Sequence, residues 1–172
     1  MFLLRLYYIL TGVIPIKILN WFYQNNINFY KLKYPNIHQS VTFGNGCTLY
    51  GNSKNIFIGE NTYVNNAQIF TGNKAVIKIG NNCSIGYRVS IKAKTHALSK
   101  TFHDDKGEHH IIEKDIIIGN RCWIGDGVYI KEGVVLGDDV VVGANSVVTK
   151  SFSSNSIIGG CPAKLIRVND VN

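Results

Sequence analysis

Acidic residues are scarce in this chain. Its 172 residues carry eleven Asp and Glu against eighteen Lys and Arg, a formal net charge of +7. That balance suits an anionic partner such as a nucleic acid, a membrane surface or a phosphorylated small molecule. Nucleic acid is the poorest fit, because the cations are spread thinly and no basic groove with interleaved aromatics is visible. Charged residues make up only 17% of the chain, while Gly, Ile and Val are abundant, which favours strands and turns over long helices. Long apolar runs are also lacking. The uncharged stretch from Leu6 to Ile16 falls short of the ~18 residues that span a bilayer. No basic start followed by a small-residue cleavage site marks a secretory signal.

Residues 1–34 nevertheless differ from the rest, being aromatic and aliphatic with Gly12 and Pro15 near the middle. They read either as short helices covering one end of a sheet structure or as an interfacial anchor. In the second reading Arg5, Lys17, Lys31 and Lys33 face lipid headgroups. Pro15 interrupts a continuous amphipathic face and favours the helical cover. Residues 35–172 form the second region.

From about Ile37 the sequence repeats every six residues. An aliphatic residue opens each hexad, Gly often follows, and a small or β-branched residue takes the fifth place. The best run is IGNRCW, IGDGVY, IKEGVV, LGDDVV and VGANSV across 118–147; IGNNCS, IGYRVS and IKAKTH cover 79–96. Strands alternate with period two and helices near 3.6, so neither explains this cadence. A period of six marks a parallel β-helix, in which each hexad supplies one short strand and one turn. The first residue points inward, and Gly, Asn or Asp handles the turn. The fold class is therefore mainly β, a β-helix of hexapeptide repeats.

This register accounts for the cysteines. Cys47, Cys83 and Cys122 each stand at the fifth place of a hexad, as inward-facing core residues and not as a metal set or disulfide framework. Cys161 lies in GGCPAK, in a closing turn. Thiols used in this way suit a reducing cytoplasm.

The cadence stops after His96 and resumes near Ile116, so an extended loop of about 97–115 leaves the coil. Four of the five histidines fall in THALSKTFHDDKGEHH, residues 95–110. His96 closes the hexad IKAKTH and is expected to be held by the coil. His103, His109 and His110 belong to a polar loop with Asp104, Asp105 and Glu108.

Residues 37–167 resemble the hexapeptide-repeat acyltransferases, close to the galactoside, maltose and polysaccharide O-acetyltransferase branch. The resemblance rests on IKAKTH before a polar insertion, then IGNRCWIGDGVYIKEGVVLGDDVVVGANSVVTKS, then GGCPAKLIR. It implies a left-handed parallel β-helix, homotrimers with active sites between subunits, and acetyl-CoA as acyl donor with no metal required. His96 falls on the catalytic histidine, and Asn65 on a residue that contacts the acceptor. Trp123 matches the aromatic beside the cofactor, and Asp126 the position whose backbone N–H faces the thioester carbonyl. Ala144, Thr149 and Lys150 fall where pantetheine and phosphates pass, and Lys164 and Arg167 near the nucleotide end.

Two departures stand out. A carboxylate that the sugar enzymes place after the acceptor asparagine is replaced around Gly72–Asn73, and their helical N-terminal segment gives way to the apolar 1–34 region.

The activity so implied is transfer of acetyl to a sugar hydroxyl, in surface polysaccharide or lipopolysaccharide synthesis, with His96 as general base. Asp104, Asp105, Glu108 or a backbone carbonyl would orient the imidazole. The location implied is a bacterial cytoplasm, with peripheral membrane contact through 1–34 as a further reading. N-acetylation of a nucleotide-linked amino sugar is the alternative on the same scaffold. A zinc-dependent enzyme with histidines on adjacent coils and a non-catalytic assembly module complete the rival readings.

Overall fold

The computed structural model describes residues 29–96 and 110–169. Contacts divide the chain into 1–33 and 34–172. Of the first unit, residues 29–33 are helical. Among the described residues, no helix is long and apolar enough to cross a membrane.

The second unit is wound from three parallel sheets, each strand stacked on its equivalent in the next coil. The first sheet runs β1 (Thr42–Phe43), β4 (Tyr63–Val64), β7 (Ser84–Ile85), β12 (Trp123–Ile124), β15 (Val141–Val142) and β17 (Ser156–Gly160). It ends with β18 (Ala163–Val168), which turns back antiparallel. The second sheet holds β2 (Thr48–Tyr50), β5 (Gln68–Phe70), β8 (Ser90–Lys92), β13 (Tyr129–Ile130) and β16 (Val147–Val148). The third holds β3 (Ile56–Ile58), β6 (Ile77–Ile79), β11 (Ile116–Ile118) and β14 (Val135–Leu136).

Each coil visits the sheets in turn, so the chain forms a three-sided column with three rows of corners. The inward positions fill it. Ile85, Ile91, Ile124 and Ile130 are fully buried, and so are the fifth-place residues Val128, Val140 and Ser146. Cys47, Cys83 and Cys122 are 1–3% exposed, at the core positions expected of them. Cys161 is exposed, in the turn between β17 and β18. Tyr34 closes the start of the core, fully buried with its hydroxyl donating to the Leu49 carbonyl at 2.6 Å.

The corners need left-handed backbone, and residues that tolerate it supply most of it. Asn61, Asn82, Asp139 and Asn155 take positive φ in the row between the third and first sheets. Arg121 does so in this row as well, and Arg88 in the row between the first and second sheets, both outside the residue types expected. In that row a ladder of side chains joins successive coils. Asn81 Oδ1 accepts from the Glu60 N–H, Asn120 Oδ1 from Asn81, and Asp138 Oδ1 from Asn120, all at 2.7–2.9 Å.

The insertion departs from expectation at its edges. Lys94–His96 (β9) and Ile111–Glu113 (β10) pair antiparallel as a two-stranded arm outside the three sheets. The chain leaves the coil at Ala93, so His96 belongs to the arm and not to the last turn of the coil. The cadence misleads here because IKAKTH keeps the hexad spacing while Thr95, at its fifth place, is only half-buried.

Candidate active site

Two cavities hold four of the nine site residues expected from the sequence. The first, about 430 Å³, opens at the corner between the first and second sheets. Trp123, Asp126 and Ala144 line it together with Gly125 and residues 141–143. Trp123 is placed by β12 with its ring outward, 59% exposed, while the next residue, Ile124, is fully buried. Alternation along a two-residue strand dictates this. Asp126 does not point freely at the cavity, since its Oδ1 accepts from the Tyr87 N–H at 2.8 Å. The amide N–H groups of Asp126 and Ala144 have no acceptor among the described residues. They are therefore available as donors to a ligand oxygen. Gly125 must lack a side chain, because a Cβ there would lie 2.7 Å from the Ala144 amide nitrogen.

The second cavity, about 420 Å³, opens where the second sheet gives way to the arm. His96 and Thr95 line it with Phe70, Lys92, Lys94 and Ile111. His96 is exposed, and its backbone pairs with Ile111 across the arm. Asp104, Asp105 and Glu108, the side chains expected to orient it, lie outside the described residues, as do His103 and His109.

The remaining candidates are scattered. Asn65 sits in the same row of corners as Gly125, two coils earlier, half-buried with its N–H donating to the Ile85 carbonyl at 2.9 Å. Thr149 and Lys150 follow β16 at the next row of corners; the Lys150 ammonium lies 5.5 Å from the Phe152 ring centroid. Lys164 and Arg167 are exposed on β18, in the same sheet as Trp123. Thus Trp123, Asp126 and Ala144 come together at one cavity and His96 lines the other, while Asn65, the adjacent Thr149 and Lys150, and Lys164 and Arg167 on β18 line neither.

Sequence reasoning missed Val141, Val142 and Gly143, which the hexad register could have found as next-coil neighbours of Trp123–Gly125. It also missed Glu113, whose carboxylate lies against Gly72. The backbone N–H of Lys74 foremost, then those of Ala75 and Asn73 and the Lys94 charge, hold Glu113 below the usual carboxylate range against partial burial. Among the described residues no group of three or more His, Cys, Asp or Glu is placed to hold a metal ion.

A three-sided parallel β-helix built from six-residue repeats, three to a coil, with ligand-sized cavities at two of its corner rows, defines a hexapeptide-repeat protein. Residues 115–150 match the family model described as bacterial transferase hexapeptide (six repeats). A Dictyostelium discoideum protein named as a candidate acetyltransferase is 43% identical over 113 residues, 66% of this chain and 57% of that relative. The match thus spans little more than half of the relative's length. Among solved structures, a maltose O-acetyltransferase from Clostridium difficile superposes with a TM-score of 0.74 at 26% identity, covering 86% of this chain and 76% of that one. A hexapeptide-repeat acetyltransferase from Vibrio cholerae gives 0.72 at 28% identity, covering 84% and 80%. The same protein complexed with acetyl-coenzyme A gives 0.64, covering 83% and 77%. The chain thus has the hexapeptide repeats and the left-handed parallel β-helix of these acetyltransferases, to which it is similar in sequence and in fold.

Proposed function

We propose that the protein transfers an acetyl group from acetyl-CoA to a sugar hydroxyl, the acceptor belonging to surface polysaccharide or lipopolysaccharide. The observation that carries this reading is the Trp123 cavity, with its exposed aromatic wall beside two unengaged backbone N–H groups, on a fold shared with an acetyltransferase complexed with acetyl-CoA. In this scheme the acyl end of the donor lies against Trp123, and its phosphates run toward Thr149, Lys150, Lys164 and Arg167. Asn65 contacts the acceptor.

The imidazole of His96 takes the proton from the acceptor hydroxyl as its oxygen adds to the thioester carbonyl. The resulting oxyanion accepts hydrogen bonds from backbone N–H groups near Asp126, one such donor being worth about 3–4 kcal/mol. The tetrahedral intermediate collapses by breaking the C–S bond, and the departing CoA thiolate recovers the proton from the imidazolium. General-base assistance is worth about 10²–10⁴ in rate. The His96 cavity and the Trp123 cavity occupy different corner rows of one chain, so the scheme joins the cavities of neighbouring copies in a homotrimer.

His96→Ala should lower kcat by about 10²–10⁴ while acetyl-CoA still binds, as followed by thiol release and calorimetry. Full activity in this variant would refute the assignment. Matched hydroxyl and amine acceptors distinguish O-acetylation from N-acetylation of an amino sugar.

A further inference from the structure

The arm that carries His96 has only three residues per strand, too few to hold a position by its own hydrogen bonds. Something else must fix it. The Glu113 carboxylate, at the end of β10, reaches back to the corner between β5 and β6. Its Oε2 accepts from the Lys74 N–H at 2.7 Å and from the Ala75 N–H at 3.2 Å. Its Oε1 lies 4.0 Å from the Lys94 ammonium. Glu113 and Lys94 are cross-strand partners, and Lys94 and His96 share one face of β9. One side chain therefore ties together a coil corner, the outgoing strand and the returning strand.

Two further contacts complete the fastening. Asp115 Oδ1 accepts from the Val76 N–H at 2.8 Å, and the Lys114 N–H donates to the Ala93 carbonyl at 3.1 Å. The corner itself is shaped to receive Glu113, since any Cβ at Gly72 would overlap its carboxylate.

We infer that Glu113 is a positioning residue, clamping the arm to the coil so that His96 is held at its cavity. The inference rests on the proposed role of His96. Charge-assisted bonds to backbone N–H groups are short and directional, which suits a clamp of this kind. Because its acceptor capacity is spent on the corner and on Lys94, Glu113 acts through the arm and not on the acceptor.

Glu113→Ala and Gly72→Ala, singly and combined, test the clamp, since the second displaces the carboxylate without removing it. Each should lower kcat by about 10–100-fold, the scale of a misplacement near 1 Å, with KM for acetyl-CoA within about twofold. Amide exchange should accelerate at 94–96 and 111–113 and stay unchanged at Trp123 and Ile124. The double variant should be no worse than the more severe single one, because both break the same contact. Glu113→Gln keeps one oxygen acceptor for the Lys74 N–H and should recover part of kcat. Unchanged exchange in the arm overturns the inference, and so does faster exchange with kcat intact. A wild-type protein that acetylates no acceptor overturns the proposed function instead, and the exchange data alone then decide whether Glu113 holds the arm.

Discussion

Glu132 is the one buried acid that the coil does not satisfy among the described residues. Its side chain is 3% exposed; Oε1 meets the Lys131 ammonium at 3.0 Å, and Oε2 is buried with no partner. It follows Lys131 at a corner where the equivalent residue of the preceding coil, Ala93, is apolar and fully buried. An unsatisfied buried oxygen costs about 1–3 kcal/mol, whereas Lys131 is 44% exposed and stays solvated without its partner. Glu132→Leu should therefore raise stability by about 1 kcal/mol, seen as a higher unfolding midpoint in urea. The same variant should lower the pKa of Tyr129, which burial raises first and the Glu132 charge raises further. Ultraviolet titration of the phenol reads that shift. A midpoint that drops would refute the expectation.

Among the elements, the short strands are the most legible and the arm is the least. The six-residue cadence identifies the inward column from Val41 to Ile158 because each coil repeats one packing problem, an aliphatic residue ahead of each corner and a small one after it, before the next strand. Trp123 is legible for the same reason, standing one place before an inward isoleucine. The arm offers no such repetition. Three-residue strands are too short for alternation to register, and the fastening of Glu113 depends on backbone N–H groups 38 and 39 residues earlier in the chain. Backbone donors leave no trace in residue types.

The clamp has a pH signature whose sign follows from Glu113. A carboxylate held below its ordinary pKa contributes stability that is fully present above the unfolded value, about 4.3, and is lost as pH falls through the lowered folded value. The arm should thus stay fastened from neutral pH down past the ordinary glutamate range and loosen only below it. The Lys74 amide proton, followed by NMR, should move upfield in that acidic window. In Glu113→Gln it should not titrate there.

For the whole molecule, the arrangement of corners decides what one chain can do alone. The Trp123 cavity lies between the first and second sheets, and the His96 cavity lies at the next row, where the arm leaves. The two share no lining residue, and in a rigid stacked column neither can swing to meet the other. A reaction that needs both therefore requires a second copy to bring its Trp123 row against the His96 row of the first. This leads to a complementation experiment with two defective chains. His96→Ala removes the proposed base, while Gly143→Trp fills the cavity proposed for the donor, at a position where an added Cβ meets nothing closer than 3.5 Å. Each homo-oligomer should be inactive. Co-expressed in equal amounts, the two should form mixed trimers in which about one site in four pairs an intact His96 with an intact cavity. Activity near a quarter of wild type, falling to zero when the two proteins are mixed without subunit exchange, would establish the shared site. Zero activity in mixed trimers verified by differential tagging would place both halves of the reaction on a single chain.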